Sequence, residues 1–267
     1  MNHIDNLYLQ IIYNTCTQDS SKLITVAPDD INALIQRART QSSLPFLLPY
    51  IKEESILTTL KHETKLMMLN YYQIEQFTRR IADLFDRNKI NYVLLKGISL
   101  AAFYPVPEYR KLGDVDIYIN DKEMFNRASA LLLANGYTKD DEISDHHQGY
   151  LYKVPKTGRT MILELHYRIV GLYQYTPANK IVDAVFASGA FTPIMQKVND
   201  RSYPVLPPTE YTFYMIHHML KHYLYSGFGI RLLCDFSFYL ECNYTDIDFV
   251  KIHTWCEESK ILHLYEI

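Results

Sequence analysis

Glycine is scarce in this sequence, at 9 of 267 residues, while tyrosine is abundant, at 23. Few glycines beside many Leu, Ile and Tyr argue against a turn-rich, many-stranded architecture and for long helices. No sign of charge dominates: 27 Lys and Arg face 30 Asp and Glu, for a net charge of −3 and a pI near 6.4. That balance gives no broad attraction for nucleic acid or an acidic membrane, and leaves only local basic patches to consider. Nucleic acid is therefore disfavoured as a partner, though not excluded. The four cysteines (Cys16, Cys234, Cys242, Cys256) contain no C-x-x-C pair. They read as reduced core or surface thiols in a cytoplasmic protein rather than as a disulfide frame or a zinc knuckle. No stretch of about 18 uncharged apolar residues exists, so no membrane span is expected. The opening MNHIDNLYLQII lacks a basic segment followed by an apolar run, so no signal peptide is expected.

What is present is ordinary for a soluble globular chain, with 48% hydrophobic and 21% charged residues. The length suits one large or two small domains. Residues 4–17 carry apolar positions at helical spacing, and Pro28-Asp29-Asp30 opens a second helix to about Arg39. Residues 53–89 hold no Gly or Pro. Their apolar residues, among them Leu57, Leu60, Leu66, Tyr71, Ile74, Phe77, Ile81 and Phe85, recur every three to four positions. The spacing predicts one or two long helices.

The texture then changes. INYVLLKG (90–97) and DVDIYI (114–119) read as strands, with a short helix from Ser99 to Tyr104 between them. Residues 121–135 read as a helix stopped by Gly136, and residues 146–154 and 160–168 as a hairpin across Pro155 to Arg159. Pro207-Pro208-Thr209-Glu210 opens a helix to about Tyr225, which Gly227 and Gly229 break. Helices follow over Ile230–Asn243 and, capped by Thr245, around Trp255. The final HLYEI continues a helical pattern, consistent with a fragment of something longer. The expected organisation is a helical region over 1–89, an α+β core over 90–200 and a helical region over 201–267.

The chemistry concentrates in LLKGISLAAFYPVPEYRKLGDVDIYIN, from Leu94 to Asn120. Asp114 and Asp116 sit two apart in a strand, so both point to one face, about 6.6–6.8 Å apart along it, while Val115 turns to the core. Two carboxylates on one face repel unless a cation lies between them, and hard oxygen ligands suit Mg²⁺. A D-x-D alone is weak evidence, since about half of chains this long contain one by chance. A second copy, Asp246-Ile247-Asp248, sits where carboxylates favour a first helical turn, and reads as capping. Gly97 ends one strand and opens a helix, where backbone N–H groups can approach phosphate. In TMILELHYRIV, Glu164 interrupts an aliphatic strand, with His166 and Arg168 expected on its face and Leu163 and Leu165 opposite. A third carboxylate on the aspartates' face would complete a metal site and accept a proton from an attacking hydroxyl.

Other candidates carry two readings each. Arg110 and Lys111 either neutralise triphosphate charge or are solvated loop cations. Lys96 either does the same or orients Asp114 through an ion pair. His218 and His222, four apart on one helical face, read as hydrogen-bonded pocket residues rather than zinc ligands, because no H-E-x-x-H pattern is formed. Arg231 and Asp235 read as an i,i+4 surface bridge, and Tyr211, Tyr214, Tyr223 and Tyr225 as core and rim packing.

Strand, glycine, short helix, strand with D-x-D, then a later strand with one acid resembles the DNA polymerase beta-like nucleotidyltransferase superfamily. More narrowly, LLKGISLAAFYPVPEYRKLGDVDIYI, LELHYR and HHMLKHYLYSGFGIRLLCDFSFYL look like a bacterial nucleotidyltransferase family with K-G-x-x-L, R-x-x-x-D-x-D, L-H and H-x-x-x-H…D patterns. The resemblance covers roughly residues 55–245. It implies an α+β fold with a mixed sheet and flanking helices, here extended by helices at both ends. It also implies Mg²⁺ (Mn²⁺ as substitute) and transfer of an NMP from an NTP to a hydroxyl acceptor whose identity it does not give. Asp114, Asp116 and Glu164 match the metal-binding acids, and Gly97 and Ser99 the phosphate-holding turn. Lys96 and Arg110 are added as nucleotide-binding residues, and His166, His218, His222 and Asp235 as pocket residues. The turn departs from the superfamily's usual adjacent Gly-Ser or Gly-Gly, since Ile98 intervenes. The alternative is a non-catalytic nucleotide- or protein-binding module that keeps the fold.

Overall fold

The structure is a computed structural model that describes residues 2–17, 24–225, 227 and 229–265. The chain begins with helices α1 (His3–Thr17), α2 (Ile31–Thr40) and the 34-residue α3 (Glu54–Arg87). It continues through β1 (Val93–Leu94), α4 (Ile98–Ala101), β2 (Val115–Tyr118), α5 (Lys122–Ala134), β3 (Thr138–Lys139), β4 (His147–Lys153) and β5 (Thr160–His166). After α6 (Thr176–Val185) come β6 (Ile194–Val198) and β7 (Arg201–Val205). The chain then closes with α7 (Pro208–Tyr225), α8 (Ile230–Asn243), α9 (Phe249–Glu258) and α10 (Leu262–Tyr265). The fold is α+β: a five-stranded mixed sheet in the order β1-β2-β5-β4-β3, a separate β6–β7 pair, and flanking helices.

Local signals account for most of these elements. In α3, the buried Leu60, Tyr71, Ile74, Phe77, Ile81 and Phe85 form one stripe. Leu66, expected on that stripe, is instead more than half exposed. Asp121 caps α5 by accepting from the Met124 N–H at 2.7 Å, and Gly136 follows α5 with φ +84°. The last long helix is capped by Asp248, which accepts from the Lys251 N–H at 3.0 Å, and not by Thr245. Thr245 lies in a preceding 3₁₀ turn, so the acid three positions later meets the orphan donors. Strand β5 ends at His166, so Arg168 does not share the Glu164 face; its guanidinium binds Asp183 at 2.7 Å. Strand β3, helix α6 and the β6–β7 hairpin were absent from the sequence-based expectation.

Two apolar clusters hold these layers together. The larger unites the C-terminal half of α3, the sheet, α7 and α9. The smaller joins α1, α2 and residues 44–51 to Leu60, Tyr104, Cys234 and Phe238. Helix α3 contributes to both, which makes it the spine of the molecule. No helix of the described residues is long and apolar enough to cross a membrane. Glu266 and Ile267, the end of the expected terminal helical pattern, lie outside the described residues.

Candidate active site

The site is built on the pairing of β2 with β5. These strands run parallel, with Asp116 opposite Glu164 and Val115 opposite Leu163. Alternation along each strand sends Val115, Ile117, Leu163 and Leu165 into the core and both acids to the other face. Asp114 stands just before β2, at the rim of the same cavity. The three acids, two on neighbouring strands and one just before β2, thus meet in one cleft of about 630 Å³.

Lys96 follows β1 and reaches Asp116, with Nζ 2.9 Å from Oδ1. It therefore pairs with Asp116, not with Asp114. His166 brings Nε2 within 3.1 Å of the same oxygen and 3.3 Å of Glu164 Oε2. Asp116 is almost fully buried, which by itself raises a carboxyl pKa. The Lys96 ammonium and the His166 contact outweigh that and hold Asp116 below the usual carboxylate range. Asp114 moves the other way: the charge on Asp116, then burial, push its pKa up. Lys96 and His166 are both raised, because the acids around them overcome the burial that disfavours their charge.

Three carboxylates against one ammonium leave surplus negative charge, and that surplus makes Asp114 hold its proton more tightly. A divalent cation would relieve it. Asp116, Glu164 and His166 each offer a ligand atom within 4.8 Å of the others, with Asp114 beside them. Oxygen-dominated donors with one imidazole fit Mg²⁺ or Mn²⁺.

The glycine turn is real but differs from expectation in one partner. Gly97 has φ +71° and ψ −124°, a conformation open to glycine, and it lines the cavity. Ser99 does not line it. Its hydroxyl is fully buried and donates back to the Leu95 and Lys96 carbonyls, with Tyr211 OH at 2.9 Å. One residue beyond the turn, the first turn of α4 has already rotated the side chain into the core, so Ser99 holds the turn's shape instead of facing a ligand.

Arg110 and Asp235 are corrected together. Arg110 donates from Nε to Oδ1 at 2.7 Å and from Nη2 to Oδ2 at 2.8 Å of Asp235, and Tyr104 OH donates to Oδ1 at 2.6 Å. Both side chains are buried, at 5% and 1% exposure. Asp235 is therefore a buttress under the cavity wall, and Arg110 reaches the cavity already committed to it. The expected Arg231–Asp235 surface bridge is not what forms; Arg231 donates to the Lys111 carbonyl at 3.2 Å and lines the cavity.

Helix α7 supplies the opposite wall through Tyr214, His218, Lys221, His222 and Tyr225. His218 lies against Tyr214 and His222, ring centroids 5.9 and 4.7 Å away. Its pKa falls well below the ordinary value through burial and then the nearby Lys96, so it is neutral at pH 7. Lys221 donates to the Leu172 carbonyl at 2.9 Å and sits over the Tyr173 and Tyr225 rings. The cleft thus has an acidic sheet wall and a helical wall rich in nitrogen.

The sequence reading passed over Lys221, His146 and His147, all of which line this cleft. Lys221 was detectable as the member of the Tyr214, His218, Lys221 and Tyr225 stripe at 3–4 residue spacing. His147 was detectable once the hairpin register was set, since it pairs directly with His166.

A solved structure, of an antigenic nucleotidyltransferase-like protein from Paracoccidioides brasiliensis, is similar at 16% identity and a TM-score of 0.41, over 66% of this chain and 76% of that one. No curated protein matches the sequence. The model of the family described as uncharacterised nucleotidyltransferase matches residues 27–266, nearly the whole chain, and the protein belongs to that family.

Proposed function

We propose that this protein transfers an NMP from an NTP to a hydroxyl acceptor, releasing pyrophosphate. The observation that carries this reading is the register pairing of Asp116 with Glu164 on a cavity face, beside the Gly97 turn, in a cleft that Lys221 and Arg231 also line. Asp114, Asp116 and Glu164 would hold Mg²⁺ or Mn²⁺, which supplies neutralisation of the charge on the triphosphate and on the departing pyrophosphate. Lys221, Arg231 and Lys96 line the space that the phosphate chain would occupy. Glu164 accepts the acceptor's proton on a carboxylate oxygen. The acceptor oxygen then bonds to the α-phosphorus as the bond to the bridging oxygen breaks. No covalent protein intermediate is needed, so positioning and charge neutralisation supply the rate. All four cysteines are free, three of them buried, which supports action in the reducing cytoplasm.

The test is incubation of the full chain with α-labelled NTPs, Mg²⁺ and a cell extract, following which fraction takes up label. Label should enter an acceptor with wild type and not with Asp116→Asn or Glu164→Gln. Calorimetry that finds Mg²⁺·NTP binding without turnover against any extract would make the protein a binding module instead.

A further inference from the structure

Beside the carboxylates, on the outer side of β5, the fold gathers a second group of potential ligands. His147 is the register partner of His166 across β4 and β5, and His146 directly precedes it. The His146 and His147 rings lie 5.4 and 5.1 Å from the His166 ring and 4.5 Å from each other. One ring nitrogen of each of the three lies within 4.8 Å of the other two. We propose that His146, His147 and His166 form a binding site for a borderline-soft divalent transition metal of the Zn²⁺ type, adjoining the Mg²⁺ site proposed at the carboxylates and sharing the His166 ring with it.

Three features of the geometry support this. His146 Nε2 and His147 Nδ1 are 3.2 Å apart. Two nitrogens bound to one tetrahedral zinc at about 2.0–2.1 Å would be roughly 3.3–3.4 Å apart, so this pair needs almost no movement. Second, His166 is buried, and while Nε2 meets the carboxylates, Nδ1 finds no hydrogen-bond partner among the described residues. The ring thus keeps one buried nitrogen without a protein partner, while its Nε2 lies among the carboxylates.

The third feature is outer support. Asp145 Oδ1 lies 2.8 Å from His146 Nδ1, and its Oδ2 accepts from the Leu172 N–H at 2.8 Å. A carboxylate on the far nitrogen of an imidazole fixes the tautomer and aims the near nitrogen, as is usual behind metal-bound histidines. Gly171 leaves room for this carboxylate: a Cβ there would stand 2.9 Å from Asp145 Oδ1. Three imidazoles select Zn²⁺-like ions over Mg²⁺, and three protein ligands leave a coordination position open toward the cleft.

Titration of the tag-free full chain with Co²⁺, read by ligand-field absorption, tests the assignment without any activity. Wild type should bind one equivalent with the intense bands of a low-coordinate, nitrogen-bound ion. The His146→Ala/His147→Ala variant should lose those bands, and Asp145→Asn should weaken binding about 10–100-fold. His166 is left in place in these variants, so Mn²⁺ binding at the carboxylates, followed by EPR in the same samples, should persist. That readout separates failure of this site from failure of the proposed carboxylate site and also reports on folding. No such bands in wild type, or the same bands and affinity in the double-histidine variant, would overturn the proposal.

Discussion

Removing either half of the Arg110–Asp235 pair should destabilise the protein far more than removing both. Two guanidinium hydrogen bonds and one from Tyr104 converge on a carboxylate that is 1% exposed. Arg110→Met would leave that carboxylate with a single neutral donor, and Asp235→Leu would leave a buried guanidinium without its counter-charge. Breaking a buried pair from one side costs about 3–5 kcal/mol, because the surviving charge stays desolvated. In a chain of this size that corresponds to a fall in Tm of roughly 6–10 °C. The double variant Arg110→Met/Asp235→Leu strands only the Tyr104 hydroxyl, at about 1–3 kcal/mol. It should therefore cost several kcal/mol less than the sum of the single changes, a coupling that adjacent groups can show and distant ones cannot. Urea unfolding followed by circular dichroism measures all three, with equal m-values as the check that one transition is being compared. Single variants that each lose less than about 1 kcal/mol, or a double variant equal to the sum, would refute the buried-buttress reading and return Arg110 to the role of a solvated ligand-facing cation.

Three further outcomes follow from the site. Ser99→Ala should cost about 1 kcal/mol in thermal unfolding and leave Mg²⁺·NTP affinity by calorimetry unchanged, since the hydroxyl serves Leu95, Lys96 and Tyr211. Gly97→Ala should cost on the order of 1–3 kcal/mol from backbone strain alone, because its Cβ would stand a harmless 3.9 Å from the Asp114 carbonyl; a variant as stable as wild type would deny the positive φ. Asp114 holds its proton more tightly folded than unfolded, so native stability contributed by that proton falls as pH rises above the ordinary aspartate range. Asp114→Asn should accordingly raise the Tm of metal-free protein at pH 7, give no gain at a pH below about 3.9, and lose its advantage as Mg²⁺ is added, all readable by scanning calorimetry.

What could be read in advance divides by the range of the interaction. Helix α8 was expected at Ile230–Asn243 and forms there. The alternation in DVDIYI and MILELH sufficed to place Asp116 and Glu164 on polar faces, because a strand's period is local. That the two faces are the same face depends on the parallel register of β2 with β5, which is set by distant packing. The Arg110–Asp235 pair joins residues 125 apart, a contact that no local spacing signals, while the nearer candidate, Arg231, donates to the Lys111 carbonyl instead. Ser99 failed for the opposite reason: the family-like pattern was followed while the rotation per residue of a short helix was not. The β6–β7 hairpin left a readable trace, since Asn199 and Asp200 form its turn and Asn199 takes φ +54°.

The same topology explains why the acidic face tolerates its own charge. A bare pair of carboxylates in adjacent strands would be a like-charge cross-strand contact, which sheets disfavour. Here β1 ends two positions before Lys96, and its antiparallel pairing with β2 delivers the ammonium to Asp116, while β5 carries His166 two positions past Glu164 on the same face. Asp116 thus receives counter-groups from both neighbouring strands, Lys96 from the end of β1 and His166 from β5. Lys96 and His166 hold Asp116 below the usual carboxylate range, while the charge on Asp116 pushes Asp114 up, and Asp114 lines the cleft. A divalent cation held beside Asp114 would relieve that repulsion.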